Sequence, residues 1–168
     1  MITITITNRQ RKLPLERRRI RRAVRAILED AEIAESQISV AVVDDAAIAK
    51  LHKDFLNDPE PTDVLSFVLE RSEGVLEGEV VVSADAALAC APCYGCTADE
   101  ELLRYVIHGT LHLVGYDDTT PRKRVVMRKK EREYLAQSET ERKRKPAELT
   151  TETRRTQRKN KQSHRRGR

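Results

Sequence analysis

Hydrophobic spacing in the first 137 residues follows two periods, one typical of strands and one typical of helices. Residues 2–7 alternate Ile and Thr, which is the pattern of a strand with one buried face. Short apolar runs rich in β-branched residues predict further strands over 38–43, 64–69 and 79–83. We therefore expect about four strands, and we expect them to form one mixed sheet.

Helical spacing occupies the segments between and after these strands. The predicted helices cover residues 14–31, 45–55, 84–91, 99–114 and 121–137. Pro14 fits the first turn of the first helix, and Pro92 is expected to stop the third. The helix over 99–114 is apolar over a wide arc and ends at Gly115, so we expect it to be central. Because strands and helices mix without strict alternation, the predicted class is α+β.

The net charge of +5 conceals an acidic body with two basic ends. Residues 1–25 carry 9 Lys and Arg against one Glu, residues 26–137 carry 11 against 22 acidic residues, and residues 138–168 carry 12 against 4 Glu. Basic ends of this kind contact nucleic-acid phosphates, although the same charge can serve only solubility. The end segment 138–168 contains a single large apolar residue, Leu149, so we predict a domain over 1–137 followed by a disordered basic tail.

Several classes of protein are disfavoured by the composition. The sequence has no run of the roughly 18–20 apolar residues that a membrane span needs, and its alternating start does not resemble a signal peptide. The three cysteines, Cys90, Cys93 and Cys96, are odd in number and lie close together, which does not suggest a disulfide framework. We expect a cytoplasmic protein without membrane contact, and reduced thiols in a loop rather than a metal cluster.

Two histidines in the central helix are the strongest chemical signal. His108 and His112 are spaced i, i+4, which places both imidazoles on one helix face with Cβ atoms about 5–6 Å apart. Such a pair can bind one divalent metal, and Asp117 or Asp118 after the helix can supply a third ligand. Three protein ligands would leave the fourth zinc position open, as in catalytic sites. The alternative is a pair of packed histidines without a metal.

A metalloprotease of the H-E-x-x-H type is disfavoured. Gly109 follows the first histidine, where that motif has its general base, and glycine cannot transfer a proton.

Three blocks of the sequence resemble the YbeY family of bacterial endoribonucleases and rRNA maturation factors. Residues 108–118, HGTLHLVGYDD, are similar to the family signature H-G-x-L-H-L-x-G-Y-D-H. Residues 61–67, PTDVLSF, and 78–85, GEVVVSAD, resemble its P-T-D-V-L-S-F and G-D-I-x-I-S-x-D blocks. The order and spacing of the blocks fit as well, and so does the late helix with Met127, Glu131 and Glu133. The resemblance covers about residues 2–137.

The resemblance implies a zincin-like α+β domain with one zinc ion at a central metal-binding helix. It implies single-strand-specific endoribonuclease activity, with a role in 16S rRNA 3′-end maturation and ribosome quality control. By position, the metal ligands would be His108 and His112, with Asp118 where the family has its third histidine. The expected partners are therefore rRNA and the small ribosomal subunit.

The chain departs from the family pattern at two positions. Asp118 replaces the third histidine, which adds negative charge to the metal site and shifts its preference towards harder ions such as Mn²⁺. We still predict zinc, and the sequence does not separate Asp118 from Asp117 as the ligand. Leu56 stands where the family usually has an arginine, and leucine cannot pair with a phosphate.

Other residues are candidates for supporting roles. Asp63 can orient a water or a ligating imidazole, and Ser66 lies in the same block; the alternative is that Asp63 caps a turn and Ser66 pairs within the sheet. The helix over 14–31 presents basic residues that can contact an RNA backbone or form a solvated outer face. These RNA-binding candidates are Arg18, Arg21, Arg22 and Arg25. Aromatic residues make up only 4% of the chain, which argues against base stacking.

The leading hypothesis is a zinc-dependent endoribonuclease acting on rRNA, with attack by water or by the ribose 2′-hydroxyl left open. An alternative is a ribosome-associated assembly factor that binds rRNA with little or no cleavage, which Leu56 and the basic tail would suit. A metal-dependent hydrolase of another small substrate is a third possibility.

Overall fold

The structure is a computed structural model that describes residues 1–57 and 62–140. The four strands are β1 (Ile2–Asn8), β2 (Glu35–Val43), β3 (Val64–Ser72) and β4 (Val75–Ser83). The helices are α1 (Arg17–Asp30), α2 (Asp45–Leu56), α3 (Ala84–Tyr94), α4 (Ala98–Leu113) and α5 over residues 121–140. The α+β class and the four-stranded sheet with packed helices are confirmed.

The sheet is mixed and has the strand order β1-β2-β4-β3. Strands β1, β2 and β4 run parallel, and β3 runs antiparallel to β4 after the hairpin at Gly74. The parallel connections use helices as crossovers, while the antiparallel pair needs only a tight turn.

Helices cover both faces of the sheet. On one face, the strands pack against α1 and α4 in the main core, where Val80 and Val82 meet Ile107 and Leu111. On the other face, Val81 packs with Ile48 of α2 in a smaller cluster. The alternation of neighbouring valines between the two clusters follows the period of a strand. Helix α4 is buried along most of its length, so its prediction as the central helix is confirmed.

Helix α1 begins at Arg17, and the prediction that it starts at Pro14 is wrong. The side chain of Gln10 accepts hydrogen bonds from the backbone N–H groups of Lys12 and Leu13 and donates to the Leu13 carbonyl. This polar loop buries Leu13 in the core before the helix begins. A side chain that binds the local backbone competes with helix formation, which explains the later start.

Helix α3 continues past Pro92 to Tyr94, and the prediction that it stops near Pro92 is wrong. Proline removes one hydrogen-bond donor and its ring crowds the carbonyl four residues before it, so the helix continues only two residues beyond Pro92. The helix ends instead at Gly95, which takes the left-handed conformation typical of a C-terminal cap. Cys90 and Cys93 therefore lie in a helix rather than a loop, while Cys96 follows it.

The strands β2, β3 and β4 are longer than the hydrophobic runs that predicted them. Strand β4 begins at Val75 rather than residue 79, because Leu76 and Gly78 continue the buried face. Residues Met1–Leu135 form one compact unit. The predicted tail lies outside the described residues from 141 onwards, so the boundary at 137 stays a prediction. No helix within the described residues combines the length and apolarity needed to cross a bilayer.

Candidate metal centre

Helix α4 carries the two histidines on one face. Its start is fixed by a capping box, in which Thr97 accepts from the backbone N–H of Glu100 and Glu100 accepts from that of Thr97. Three turns later, the rings of His108 and His112 lie edge to face with their centroids 4.6 Å apart. Their Nε2 atoms are 3.0 Å apart. The predicted i, i+4 pair is therefore brought together, and the two side chains are only partly exposed.

The other nitrogen of each ring is held by a separate hydrogen bond. His108 donates from Nδ1 to the carboxylate of Glu131 on α5 at 2.7 Å. His112 donates from Nδ1 to the backbone carbonyl of Tyr116 at 3.0 Å. In neutral imidazoles, these bonds leave an unprotonated lone pair on each Nε2. Two lone pairs that converge at 3.0 Å repel each other unless a cation or a proton lies between them.

A tight turn brings the third candidate ligand to the histidines. Gly115 donates to the His112 carbonyl and Tyr116 donates to that of Leu111, which forms a Schellman cap. Gly115 has φ of 102°, a conformation that side chains disfavour. The guanidinium of Arg71 lies against this glycine and donates to the Val114 carbonyl at 3.1 Å. The cap thus reverses the chain and directs it back towards the rings.

The two aspartates after this turn have different environments. Asp118 places its carboxylate oxygens 3.7 Å from Nε2 of His108 and 3.8 Å from Nε2 of His112. Asp117 instead accepts from the backbone and hydroxyl of Thr119 and pairs with Lys123 at 2.6 Å. Lys123 and Thr119 hold the pKa of Asp117 well below its usual range. Tertiary structure thus separates two residues that the sequence could not.

The donor set fits a metal ion. One ligand atom from each of His108, His112 and Asp118 lies within 4.8 Å of the others, and among the described residues these three form the group that can hold a metal ion. Two nitrogens bound tetrahedrally at about 2.0–2.1 Å would be about 3.4 Å apart, close to the separation observed. Three ligands also leave a coordination position for substrate or water, which distinguishes a catalytic site from a structural one.

The pKa of His108 reflects its surroundings. Burial of the ring lowers this pKa, but the carboxylate of Glu131, and to a lesser degree those of Asp118 and Asp63, raise it above the ordinary value. The same negative charges that favour a proton on the ring favour a cation beside it. Proton and metal therefore compete for Nε2.

Close packing of α4 against the sheet fixes the position of the two histidines relative to the strands. Gly109 lies so near the strands that an added Cβ would be 2.6 Å from Val80 and 3.0 Å from Val64. Ser66 donates to the carbonyl of Gly109 at 3.1 Å. The Ser66 hydroxyl therefore holds α4 to β3 and does not contact an imidazole ring.

Asp63 lies on the wall of a cleft of about 450 Å³ beside His108. The cleft runs between α4 and α5, and Glu131 forms part of it. Asp63 was predicted as a site residue, whereas Glu131 and the arginines that line the cleft were not, because they come together only where α4 and α5 pack.

The basic residues of α1 lie outside the lining of this cleft. Arg18 and Arg21 are exposed, whereas Arg22 donates to the Arg18 carbonyl and Arg25 to that of Ile2. Arg19, which was not a candidate, is buried and pairs with Asp99 at 2.6 Å. Part of the basic run thus anchors the helix, and RNA contact by the four candidates stays a prediction.

The three cysteines are free thiols, and within the described residues they do not form a group that can hold a metal ion. Burial raises the pKa of Cys96, with a further contribution from Glu101, which makes this thiol less reactive than an exposed one.

Comparison with known proteins identifies relatives of the chain. A family model described as Endoribonuclease YbeY matches residues 5–139. Curated relatives with the name Endoribonuclease YbeY include one from Rhodopirellula baltica, 44% identical over 96 residues, and one from Desulfitobacterium hafniense, 38% identical over 123 residues. The match to the Rhodopirellula protein covers 56% of this chain and 50% of the relative, so the chain spans half the length of that protein. The match to the Desulfitobacterium protein covers 67% of this chain and 78% of the relative. A relative from Chlamydia caviae is 33% identical over 80% of this chain and 89% of its own.

A solved structure extends the likeness to the fold. The solution structure of a Thermotoga maritima protein aligns with a TM-score of 0.60 and 28% identity, over 87% of this chain and 95% of that one. The family model alone spans most of the chain, including every residue of the candidate metal centre. The chain therefore belongs to the Endoribonuclease YbeY family, the family and enzyme class that its three motifs predicted.

Proposed function

We propose that this chain is a zinc-dependent endoribonuclease that cleaves single-stranded RNA. We further propose that it acts in the cytoplasm on rRNA of the small ribosomal subunit, in 16S rRNA 3′-end maturation and ribosome quality control. The observation that carries the proposal is the convergence of two Nε2 lone pairs and the Asp118 carboxylate beside an open cleft. Family membership supports the RNA-cleaving part of it.

Hydrogen bonds within the chain orient the candidate ligands in the absence of substrate. His108, His112 and Asp118 would hold the ion, and it would supply Lewis-acid polarisation of the scissile phosphate and activation of a nucleophile. Glu131 and the Tyr116 carbonyl keep both imidazoles in the tautomer that presents Nε2. Asp63 lies at the cleft wall beside His108, and there it would orient the attacking hydroxyl or water.

The first experiment measures metal and cleavage on the same preparations. Elemental analysis of the purified chain should give about one zinc per chain, and Asp118→Ala should lose most of it. Asp117→Ala is the matched control, because its carboxylate faces Lys123 and Thr119 instead of the rings. Cleavage of single-stranded RNA should follow the metal content across these three proteins, with duplex RNA cut far more slowly.

Two outcomes would refute the proposal. A folded, zinc-supplemented chain without bound metal would remove its basis, and metal retention in Asp118→Ala would show that the ligand set is wrong. RNA binding that survives the loss of the ligands, with no cleavage in the parent chain, would favour an assembly factor instead. Cleavage of a 2′-deoxy substrate by the parent chain would exclude attack by the 2′-hydroxyl.

A further inference from the structure

The cleft beside His108 has a composition that metal binding does not explain. It extends from the histidine along α4 towards the start of that helix, and its volume of about 450 Å³ is within the range of small-ligand sites. Its walls include Tyr94 and three arginines, Arg104, Arg128 and Arg132. Tyr94, Arg104 and the Arg128 and Arg132 pair lie on three different helices, so no single sequence motif contains the whole group.

Tyr94 offers a flat aromatic surface at one end of the cleft. It is the last residue of α3, and 66% of it is exposed. The guanidinium of Arg104 covers the ring at 5.8 Å from its centroid. Arg104 itself is held by Glu101, whose carboxylate lies 3.4 Å from its Nε. The ring is thus supported on one side while much of its surface stays open to solvent.

The two arginines of α5 supply positive charge without internal partners. Arg128 and Arg132 are spaced i, i+4, so they project from the same face of the helix. Glu131 between them reaches His108, which places this face beside the candidate metal centre. Within the described residues, neither arginine forms a side-chain ion pair, whereas the carboxylates of Glu101 and Glu131 in the same cleft are both engaged.

Arg104 also continues the line of the metal ligands. It lies one turn before His108 on α4, and His112 lies one turn after it. An RNA strand that enters the cleft at the histidines and follows α4 would therefore meet Arg128 and Arg132 on one side and Tyr94 at the far end. Guanidinium groups bind phosphates in a planar, bidentate manner, and aromatic rings stack on unpaired bases. The low aromatic content of the chain argues against stacking of many bases, but a single exposed ring suffices for one base.

We propose that this cleft is a subsite for a nucleotide of single-stranded RNA next to the scissile phosphate, with its base stacked on Tyr94 and the adjoining phosphates bound by Arg128 and Arg132. The subsite rests on the proposed endoribonuclease function. It also specifies the path of the bound RNA, which runs from the metal centre towards the start of α4. It also accounts for a preference for single strands, since a base in a duplex cannot leave its stack to reach the ring.

Binding of two matched oligomers tests the stacking. Fluorescence anisotropy on the full chain compares a labelled decamer of adenylate with an abasic decamer that has the same number of phosphates. Gel analysis after each titration verifies that the oligomers are intact. Tyr94→Ala should weaken binding of the adenylate decamer roughly fivefold or more and leave the abasic decamer unchanged. Tyr94→Phe retains the ring and should bind both oligomers as the parent chain does.

Salt dependence tests the phosphate contacts. Arg128→Gln and Arg132→Gln should each weaken both decamers and reduce the slope of log affinity against log salt by about 0.7. Arg122→Gln on the same helix is the matched control, since Arg122 is exposed and lies outside the cleft lining. Its slope should equal that of the parent chain.

The subsite is overturned if Tyr94→Ala affects both decamers equally, or if the Arg128 and Arg132 variants behave as Arg122→Gln does. Cleavage is assayed separately on the parent chain, so the two proposals fail in different ways. A parent chain that cleaves RNA while Tyr94→Ala binds adenylate normally retains its function and loses the subsite. A parent chain with the full binding pattern but without cleavage retains the subsite and loses the proposed function.

Discussion

Glu131 on α5 and His108 on α4 are joined by a 2.7 Å hydrogen bond beside the candidate metal centre. The two residues are 23 positions apart, and their contact couples a surface-exposed, charged helix to the most buried helix of the fold. The bond determines which ring nitrogen faces the other histidine and Asp118. The orientation of the metal site therefore depends on packing of α5 as well as on the motif itself.

We expect Glu131→Gln to weaken zinc binding about 10- to 100-fold, because the amide is a poorer partner for the Nδ1 proton and makes Nε2 less basic. Competition with a chromophoric chelator measures the affinity. Glu133→Gln is the control, since Glu133 pairs with Lys130 instead of a histidine. Equal affinities of the two variants would show that Glu131 does not act through His108.

Asp118→His should change which metal the site prefers. A carboxylate suits hard ions such as Mn²⁺ and an imidazole suits Zn²⁺, so we expect the ratio of zinc to manganese affinity to rise, on the order of tenfold. Parallel chelator titrations with each metal measure the ratio. Asp117→His, at the neighbouring position directed towards Lys123, should leave it unchanged. A higher ratio in the Asp117 variant alone would make that residue the ligand.

Gly109→Ala should destabilise the fold, because its Cβ would lie 2.6 Å from Val80 and 2.9 Å from the Ser66 hydroxyl. Overpacking of this kind costs about 1–3 kcal/mol. Urea unfolding followed by circular dichroism gives the change in the free energy of unfolding. An unchanged midpoint would mean that α4 does not lie this close to the sheet.

The arginines of α1 should separate into structural and surface classes. Arg19→Met removes a buried partner of Asp99 and should lower the free energy of unfolding by about 1–3 kcal/mol. Arg18→Gln and Arg21→Gln change exposed side chains, so stability should stay the same while the salt slope of RNA binding falls by about 0.7 for each arginine that contacts a phosphate. Unchanged slopes in both exposed variants would show that this surface is solvated and does not contact RNA.

Tyr134 should make the fold sensitive to alkaline pH. Burial, followed by its 2.8 Å hydrogen bond to Asp30, raises the pKa of this phenol above its ordinary value of about 10. A raised pKa favours the protonated form in the folded chain, so this stabilisation is complete below about pH 10 and is lost as pH rises further. Tyr134→Phe should lower the free energy of unfolding at neutral pH by about 1–2 kcal/mol and reduce its decline above pH 10.

Chemical unfolding at several pH values between 7 and 11 tests this dependence. Tyr94→Phe is the matched control, because the Tyr94 ring is largely exposed and its change should leave the curve unaltered. If the free energy of unfolding of Tyr134→Phe declines equally steeply at alkaline pH, the effect belongs to other groups. Tyr105 is the first of these, because burial also raises its pKa.

The local sequence pattern was sufficient to predict the helices and strands and to identify the family. Period-2 alternation located β1 because each Ile reaches the core while each Thr stays near solvent, and the wide apolar arc of α4 identified the central helix. The His108 and His112 pair was predictable because i, i+4 spacing brings two side chains together on any helix. Boundaries were less accurate where a side chain such as Gln10 binds the local backbone, or where a proline falls in a last turn that tolerates it.

Only the three-dimensional structure decided which side chains meet at the site. The sequence determined that a histidine pair and two aspartates lie near each other, but the hydrogen bonds of Asp117 to Thr119 and Lys123 are what turn it away and leave Asp118 beside the rings. Likewise, Glu131, Arg128 and Tyr94 meet in one cleft only because α3, α4 and α5 pack together. Spacing along the chain determines which residues share a helix face, whereas packing of the core determines which helix faces meet.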